Sequence, residues 1–332
     1  EQIDELVGTA SFQNRILLNG NCGVVGKTSG EFLRFVRGSA RVKSSEFDGY
    51  PVAIYQSPKS SMLMGWGEIT PEEIRREDQI TVTDGVNEAH YHPGDEESPE
   101  RFLANLRKCL MDYNIEVDVF RTKDNRLFFK HNQLGSKYTF KARGLRSSII
   151  SPTPGDYRSA VPGIDVAGTI GAESAHGDGG FLMGDVGNRQ TDGLVVHFDG
   201  RVEYPGQIVG NVSVTQEGIS IPMDPTESRF EILSIPSIQT SSLGIGVTTR
   251  SGFSDLNSIR VTTEIERKDA IKLLLWSLVY LEYLSKELKI KEDEYVNHTI
   301  SLLHGNAQIQ TANQDTLLLS KDKANDMVDQ LK

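Results

Sequence analysis

Two histidines spaced one residue apart are the first candidates for chemistry in this sequence. His90 and His92 flank a tyrosine in a stretch whose alternation predicts a strand. Residues two apart on a strand project to the same face, where two imidazoles can ligate a metal ion. No cysteine or glutamate stands at a suggestive spacing from them, and the sequence has no His-Glu-x-x-His motif. We therefore interpret them as a surface pair and expect no metal site.

Two glycine-containing stretches share features with ligand-binding loops. Gly177 to Asp185 combines glycine and aspartate as calcium-binding turn repeats do, but the pattern occurs once and lacks the repeat period. We interpret it as turns between strands, with weak calcium binding as the alternative. Gly23 to Thr28 ends in Gly-Lys-Thr, as a phosphate loop does. Its glycines are too close together and no helix is predicted after it, so we reject a phosphate site.

The cysteines do not form a recognisable framework. Cys22 and Cys109 are the two cysteines of the chain, too few for a disulfide-rich scaffold. They could pair with each other, but we expect two free thiols. With no catalytic constellation in the sequence, we predict a protein that is not an enzyme and that requires no cofactor.

Composition and charge exclude some classes of partner. The formal net charge is −11, which argues against binding nucleic acid or an anionic membrane surface. No apolar run approaches the ~18 residues of a membrane span. The 31 glycines, together with many serines, threonines and asparagines, indicate turn-rich β structure over part of the 332 residues.

The C-terminal part of the sequence predicts a long helix with an apolar seam. Between Lys268 and His304 one heptad position is apolar throughout, at Leu274, Leu281, Leu288, Tyr295 and Leu302. The companion position begins apolar at Ile271 and Leu278 and then becomes polar. Thr263 and Glu266 have the spacing of a capping box. Such a seam predicts coiled-coil packing along other helices.

Three aromatic residues lie within the same predicted helix. Trp276, Tyr280 and Tyr283 are interpreted as packing residues. Contact with a neighbouring subunit is the alternative, because aromatic side chains with polar tips favour protein interfaces.

The N-terminal residues predict a short amphipathic helix that faces this seam. Apolar residues of residues 1–10 fall on one face, and a compact apolar segment, Phe12 to Leu18, follows. We expect the following side chains to pack on the long helix: Ile3, Leu6, Val7, Phe12 and Leu17.

The middle of the sequence predicts two β-rich modules. Residues 79–146 read as a ββαββ unit, with a hairpin turn at Asp84-Gly85 and a helix that opens at Ser98. Residues 164–223 are glycine-punctuated alternating strands, which predict an all-β hairpin unit. A stretch rich in proline, serine and glycine separates the two.

These elements together predict an α+β fold, in which a helical rod formed by the N- and C-terminal helices carries inserted β-rich modules. The predicted domains are 1–30 with 255–332 as a discontinuous helical rod, 31–150 as a β-rich insert containing the ββαββ module, 164–223 as the all-β hairpin module, and 224–254 as a return linker.

Several stretches resemble bacterial flagellin. Phe12, Asn14, Leu17, Leu18 and Gly20 are similar to the motif after the second N-terminal rod helix, although the asparagine falls one place late. The long C-terminal helix resembles the flagellin C-terminal rod helix. Gly163 to Gly200 looks like a repeat of flagellin insertions and of the filament cap protein, and the unit from Ile80 resembles the flagellin hook motif. The sequence resembles a flagellin truncated at both termini.

This resemblance implies an extracellular structural subunit of the bacterial flagellum. It implies self-assembly of copies through helical seams, β modules on the outer surface, a role in motility, and partners in the export apparatus and its chaperone. Because the terminal helices of a flagellin are missing, we expect the chain by itself to be a monomer that does not polymerise. The alternatives are a cap or junction (hook-associated) protein, or a surface protein that binds a glycan or host molecule.

Overall fold

The structure, a computed structural model, describes residues 2–12, 14–223 and 230–330, with the backbone alone for residue 222 and residues 300–330. Its helices are α1 Gln2–Thr9, α2 Pro71–Arg76, α3 Pro99–Asp112 and α4 Glu264–Gln330, with a 3-10 turn at Leu256–Ser258. Its strands are β1 Ser11–Phe12, β2 Arg15–Ile16, β3 Val24–Thr28, β4 Leu33–Arg37, β5 Tyr50–Gln56, β6 Met62–Glu68, β7 Ile80–Thr83, β8 Glu88–Tyr91, β9 Val117–Arg121, β10 Arg126–His131, β11 Lys141–Gly144, β12 Arg158–Ser159, β13 Ala167–Ile170, β14 Glu173–Asp178, β15 Phe181–Gly184, β16 Val195–Phe198, β17 Gln207–Gln216, β18 Ile219–Pro222 and β19 Phe230–Leu233.

An eight-stranded sheet curls into a near-barrel. Its strand order is β3-β17-β5-β13-β14-β15-β16-β4, and each neighbouring pair is antiparallel. Its two edges, β3 and β4, follow one another directly in the chain. Strands from before residue 57 and from after residue 166 therefore share one sheet, and the all-β hairpin unit does not stand alone.

Side-chain packing closes the gap between the two edge strands. The Phe35 ring of β4 lies over the backbone of Gly26 in β3, so close that a Cβ atom at Gly26 would lie 2.2 Å from Phe35 Cδ2. At the end of the gap, Thr28 Oγ1 donates a hydrogen bond to the Leu33 carbonyl, 2.7 Å away. A covered edge is protected from pairing with strands of other chains.

Alternating apolar residues fill the near-barrel. In β5, Val52 and Ile54 are fully buried while the residues between and after them turn outward, as the two-residue period of a strand requires. The other strands contribute to the same core at Val24, Leu33, Val166, Ile170, Leu182, Val196, Phe198, Val212 and Val214.

A second body is inserted between two paired strands of the near-barrel. Gln56 at the end of β5 pairs with Ala167 at the start of β13. The pairing continues outward as a ribbon: the Lys59 and Ile164 backbones exchange hydrogen bonds of 2.8 and 2.9 Å, and Met62 bridges Val161. The chain thus leaves and re-enters the near-barrel at one point.

The inserted body encloses the amphipathic helix α3 between two sheets. One sheet has the order β6-β10-β9 and the other β12-β11-β7-β8. Phe102, Leu106 and Leu110 of α3 are fully buried between them. The predicted helix start is confirmed, since Ser98 caps α3 by accepting from the Arg101 N–H. The two predicted hairpins, however, belong to different sheets: β10 of one hairpin pairs with β6, whereas β7 of the other pairs with β11, to which β12 adds.

A buried carboxylate ties the segment after α2 to the segment after β11. The Glu77 side chain follows α2 and is almost fully buried. Its Oε1 accepts from the backbone N–H groups of Leu145 and Arg146 at 2.7 and 2.9 Å, and its Oε2 accepts from the Ser147 hydroxyl at 2.5 Å. A buried charge is tolerated only when it is satisfied in this way.

The helical rod predicted from both termini is wrong. The N-terminal helix α1 ends at Thr9, and the chain after it pairs as the short strands β1 and β2, which include Phe12. Asp4 of α1 accepts hydrogen bonds from the Thr240 backbone and hydroxyl at 2.9 and 2.7 Å. A helix of 8 residues is too short to line a long seam. Among the described residues outside α4, most of the regular secondary structure is β strand.

The chain divides into two compact units, Glu1–Ile219 with Leu233–Trp276, and Ser220–Ile232 with Ser277–Lys332. Both bodies described above belong to the first unit. In the second, β18 and β19 form a two-stranded sheet, and Lys291 of α4 pairs with Glu231 of β19 at 3.3 Å. No helix within the described residues is long and apolar enough to cross a membrane.

Candidate functional site

The predicted seam lies on α4, and the local sequence sets where this helix begins. The Glu266 backbone N–H donates to Thr263 Oγ1 at 3.2 Å, and Glu266 Oε2 accepts from the Thr263 N–H at 2.9 Å. This reciprocal pair confirms the predicted capping box. The helix then continues for 67 residues.

Charged pairs anchor the first turns of α4 to the inserted body. Lys272 Nζ lies 2.7 Å from Glu116 Oε2 and donates to the Thr248 carbonyl at 2.9 Å. Lys268 pairs with Asp112 at the end of α3, 2.9 Å away. The Lys272 pair is largely shielded from solvent, and a shielded pair also fixes orientation because both charges must remain matched.

The loop before α4 adds a further anchor on the same side. Arg250 Nε pairs with Asp118 Oδ1 at 2.9 Å, and its guanidinium donates to the Val117 carbonyl at 3.1 Å. Asp269 of α4 is buried and accepts from the Ser251 N–H at 2.6 Å. The loop and the helix start are thus held on β9 together.

One side of the helix start is packed against apolar groups. Ala270 and Leu273 are buried. Leu273 lies against Gly244, where a Cβ atom would approach its Cδ2 to 2.4 Å. Gly244 also has φ +84°, a backbone conformation that residues with a side chain rarely adopt. Both the close contact and the backbone conformation therefore favour glycine at this position. This side of α4 is the docked side.

The opposite side of the helix carries an apolar stripe that is exposed. We call outer stripe the side chains of Ile271, Leu274, Leu275, Leu278 and Val279, which are between 50% and 63% exposed. Their spacing of three and four residues places them on neighbouring turns of one face. Because Ala270 and Leu273 pack on the docked side, the stripe faces away from that packing. A contiguous exposed apolar patch marks an interaction surface.

The structure places the predicted seam residues in different environments. Leu274 is half exposed, whereas Leu281, Leu288 and Tyr295 are partly buried, and the side chain of Leu302 lies outside the described residues. The buried leucines of the helix in its described part are Leu273 and Leu284. Ala270 and Ser277 are also buried, so positions 270, 277 and 284 form a buried row with a seven-residue spacing, on helix positions other than those of the predicted seam. The assembly role of the seam stays a prediction.

The predicted partners of the seam at the N-terminus are also dispersed. Val7 is buried, Ile3 and Leu17 are partly buried, and Leu6 and Phe12 are exposed. Their local environment includes the segment around residue 238, since the Ile238 N–H donates to the Leu18 carbonyl at 3.0 Å. Their packing on the long helix stays a prediction.

The other chemistry candidates occupy separate structural positions. His90 Nδ1 lies 2.6 Å from Gln79 Nε2, and His92 Nδ1 lies 2.9 Å from the Asp78 carbonyl. No group of three metal-ligating side chains occurs in the described part of the chain. The Gly177 to Asp185 stretch forms strands and the turn between β14 and β15, as the turn interpretation predicts. Cys22 and Cys109 are both free.

Two buried histidines escaped the sequence interpretation. His197 of β16 packs edge-to-face on Phe181 with 4.9 Å between ring centroids, and burial lowers its pKa to about 4. His131 of β10 stacks on Tyr138, and burial lowers its pKa as well. Each histidine stands in an apolar strand, which was the available signal for burial. The anchoring pairs of α4 gave no such signal, because Glu116 and Lys272 are far apart in sequence.

Comparison with solved structures finds domains of flagellar cap proteins. The D2-D3 domains of the flagellar cap protein FliD from Escherichia coli are 7% identical, covering 58% of this chain and 100% of that chain, with a TM-score of 0.37. Those from Serratia marcescens are 13% identical, covering 57% and 100%, with a TM-score of 0.38. FliD (HAP2) from Pseudomonas aeruginosa PAO1 is 10% identical, covering 58% and 84%, with a TM-score of 0.33.

These identities and TM-scores are too low to establish the fold or the function of this chain. No protein-family model and no curated protein matches the chain.

Proposed function

We propose that the chain is a structural, non-catalytic component of the bacterial flagellum, located outside the cell, which associates with other copies of itself. We favour a cap or junction role over that of the main filament subunit. The observation that carries the proposal is the outer stripe of α4, an exposed apolar face on the side of the helix away from the buried Ala270 and Leu273.

The physical argument begins with the cost of leaving the stripe in water. Each large apolar side chain that is removed from water contributes about 1.5–3 kcal/mol when it is fully buried. Five such side chains on successive turns form a face that a second helix can cover. Copies of one chain carry the same stripe, so two stripes can meet as a self-complementary contact.

The preference for a cap or junction role has two supports. The stretch from Gly163 to Gly200 resembles a repeat that occurs in the cap protein as well as in flagellin insertions. The filament interpretation relied on a rod formed from both termini, and α1 is too short to supply half of it. Export partners and a glycan or host ligand stay predictions.

Immunogold labelling of flagella from the source bacterium tests the assigned role. We expect gold at the tip of the filament or at the hook–filament boundary. Gold along the whole filament would favour the filament subunit. Absence of gold from flagella, with motility unchanged after deletion of the gene, would overturn the proposal.

Sedimentation velocity tests the contribution of the outer stripe. We expect Leu274→Ser with Leu278→Ser to weaken self-association at least about tenfold, because two central apolar contacts are lost. The matched control is Val86→Ser with Val186→Ser, two exposed valines elsewhere on the chain. Equal association of the two double variants would show that the stripe is not the contact.

A further inference from the structure

A group of unpaired cations lies on the outer face of the near-barrel. Arg34 and Arg37 belong to β4, where Arg34 is opposite His197 and Arg37 is opposite Val195 of β16. The arginines are three positions apart along β4, but their partners are only two positions apart along β16, so the register shifts between the two pairs. Such a bulge returns both arginines to the same face of the sheet.

A lysine on the neighbouring edge strand extends this group. Lys27 of β3 is opposite Ser213 of β17. Val212 and Val214 on either side of that serine are buried in the core, so Ser213 and Lys27 point outward. We call the side chains of Lys27, Arg34 and Arg37 the basic face.

The basic face has no acidic partner within the described residues. No described ion pair or side-chain hydrogen bond involves these three side chains. Arg41, a few residues further on, shows the contrast, since it pairs with Asp192 at 2.9 Å. Glu31 and Asp199 are nearby in sequence and strand order, and they reduce the local positive charge without pairing with the face. A cluster of free cations in a chain of net charge −11 has complementary surfaces on other copies of that chain.

The inserted body carries the matching acidic surface. Glu72 of α2 and Asp95 and Glu96 of the loop before α3 are exposed. Arg75 Nε donates to the Asp95 carbonyl at 3.3 Å, which holds this loop beside α2. No described ion pair neutralises the three carboxylates, although other acids of this body do have partners, such as Glu100 with Arg121. We call them the acidic corner.

We propose that the basic face of one copy binds the acidic corner of a second copy. The two surfaces lie on different bodies of the first unit, and no ion pair of the described residues joins them within a copy. Their signs are complementary, which favours encounter in this orientation and disfavours like-to-like docking. Because the two surfaces differ, the contact is heterologous and repeats from copy to copy, giving a ring or an open chain. The inference rests on the proposed self-association and adds a polar contact to it.

Charge reversal provides the test, with sedimentation velocity on the whole chain. One variant carries Arg34→Glu with Arg37→Glu, and the other carries Asp95→Lys with Glu96→Lys. All four side chains are exposed or half-buried, so we expect both variants to fold. Circular dichroism checks that they do. The matched control for the arginine variant is Lys108→Glu with Lys123→Glu, which makes the same change in net charge at exposed lysines outside the basic face.

We expect either variant alone to associate about tenfold more weakly than the wild type at about 50 mM salt, and the control to associate as the wild type does. Mixing the two variants should restore association, since each then offers the complement of the other. Association should also weaken as salt is raised to about 300 mM, where surface charges are screened.

The outcomes separate this inference from the proposed function. Variants that associate like the wild type, or a mixture that fails to recover, would overturn the charge contact. If the outer-stripe variant loses association in the same series, the proposed function still stands. Tip labelling by immunogold does not depend on this contact, so a negative result there would count against the flagellar role alone.

Discussion

The near-barrel and the inserted body solve the same packing problem in different ways. The near-barrel joins strands from two distant stretches of chain and closes by laying Phe35 over Gly26. The inserted body comes from one continuous stretch, wraps two sheets around α3, and joins the segments after α2 and β11 through the Glu77 carboxylate. One body is closed by steric fit, and the other is closed by a buried charge. Substitutions at these two points should therefore differ in how much they destabilise the chain and in which body they affect.

The largest effect is expected where the inserted body is fastened. Glu77→Gln keeps the size of the side chain but turns an amide N–H₂ toward donors, leaving buried N–H groups unsatisfied. We expect the free energy of unfolding of this body to fall by about 3–5 kcal/mol. Hydrogen exchange should rise in residues 62–161 while the near-barrel strands stay protected. Exposed Glu72→Gln is the control, and equal protection in both variants would contradict the role of Glu77.

A smaller effect is expected from acidification, through the buried histidine of the near-barrel. The pKa of His197 is lowered by burial to about 4, well below the ordinary value of 6.5, and its Nδ1 is buried with no hydrogen-bond partner in the described structure. As the pH falls below 6.5 the unfolded chain takes up the proton first. Stability is therefore lost between about pH 6.5 and 4, by up to ~3 kcal/mol.

Urea unfolding at a series of pH values measures this loss. Asp199 opposes the lowered pKa of His197 and Arg34 adds to it, so both groups are kept in the comparison. His197→Phe should flatten the pH dependence in this window, because phenylalanine has no group that titrates. Its ring can keep the edge-to-face contact with Phe181. His131 contributes a loss of the same sign in the inserted body. An unchanged slope in His197→Phe would exclude His197 as its source.

The smallest of the three effects is expected at the seam between the edge strands. Gly26→Ala places a methyl group where the Phe35 ring now lies, and this overpacking should cost about 1–3 kcal/mol. The loss should appear in thermal unfolding followed at near-barrel residues. Gly94→Ala is the matched control, since nothing lies within 4 Å of its Cβ position.

A second substitution distinguishes steric conflict from an effect on the unfolded chain. Phe35→Leu shortens the ring side chain, so Gly26→Ala should cost less in that background than in the wild type. Equal costs in the two backgrounds would mean that Phe35 is not the obstacle.

Local signals in the sequence predicted a helix start and a turn of the inserted body. Ser98 caps its helix as expected, and Asp84-Gly85 turns between β7 and β8. Each of these features depends on residues a few positions apart, where propensity and side-chain capping decide the structure. The same holds for the start of α4.

Long-range pairing could not be predicted in the same way. Strand β5 lies between β13 and β17, more than a hundred residues further along the chain, and alternation alone does not choose partners for a strand. The same limit applies to α4. Its seven-residue repeat predicts a seam. Leu273, however, packs against Gly244, which lies outside the helix, so the periodicity of the helix sequence does not indicate this contact.

The pairing of Gln56 with Ala167 has a consequence for how this chain can vary. Because these two residues are paired in adjacent strands, the ends of the segment between them, here called the cassette, lie side by side. A tight hairpin turn could take its place without moving any strand of the near-barrel, and a longer or different cassette would meet the same two ends. The strands of the near-barrel can therefore keep their pairing while the segment between Gln56 and Ala167 changes in length or sequence.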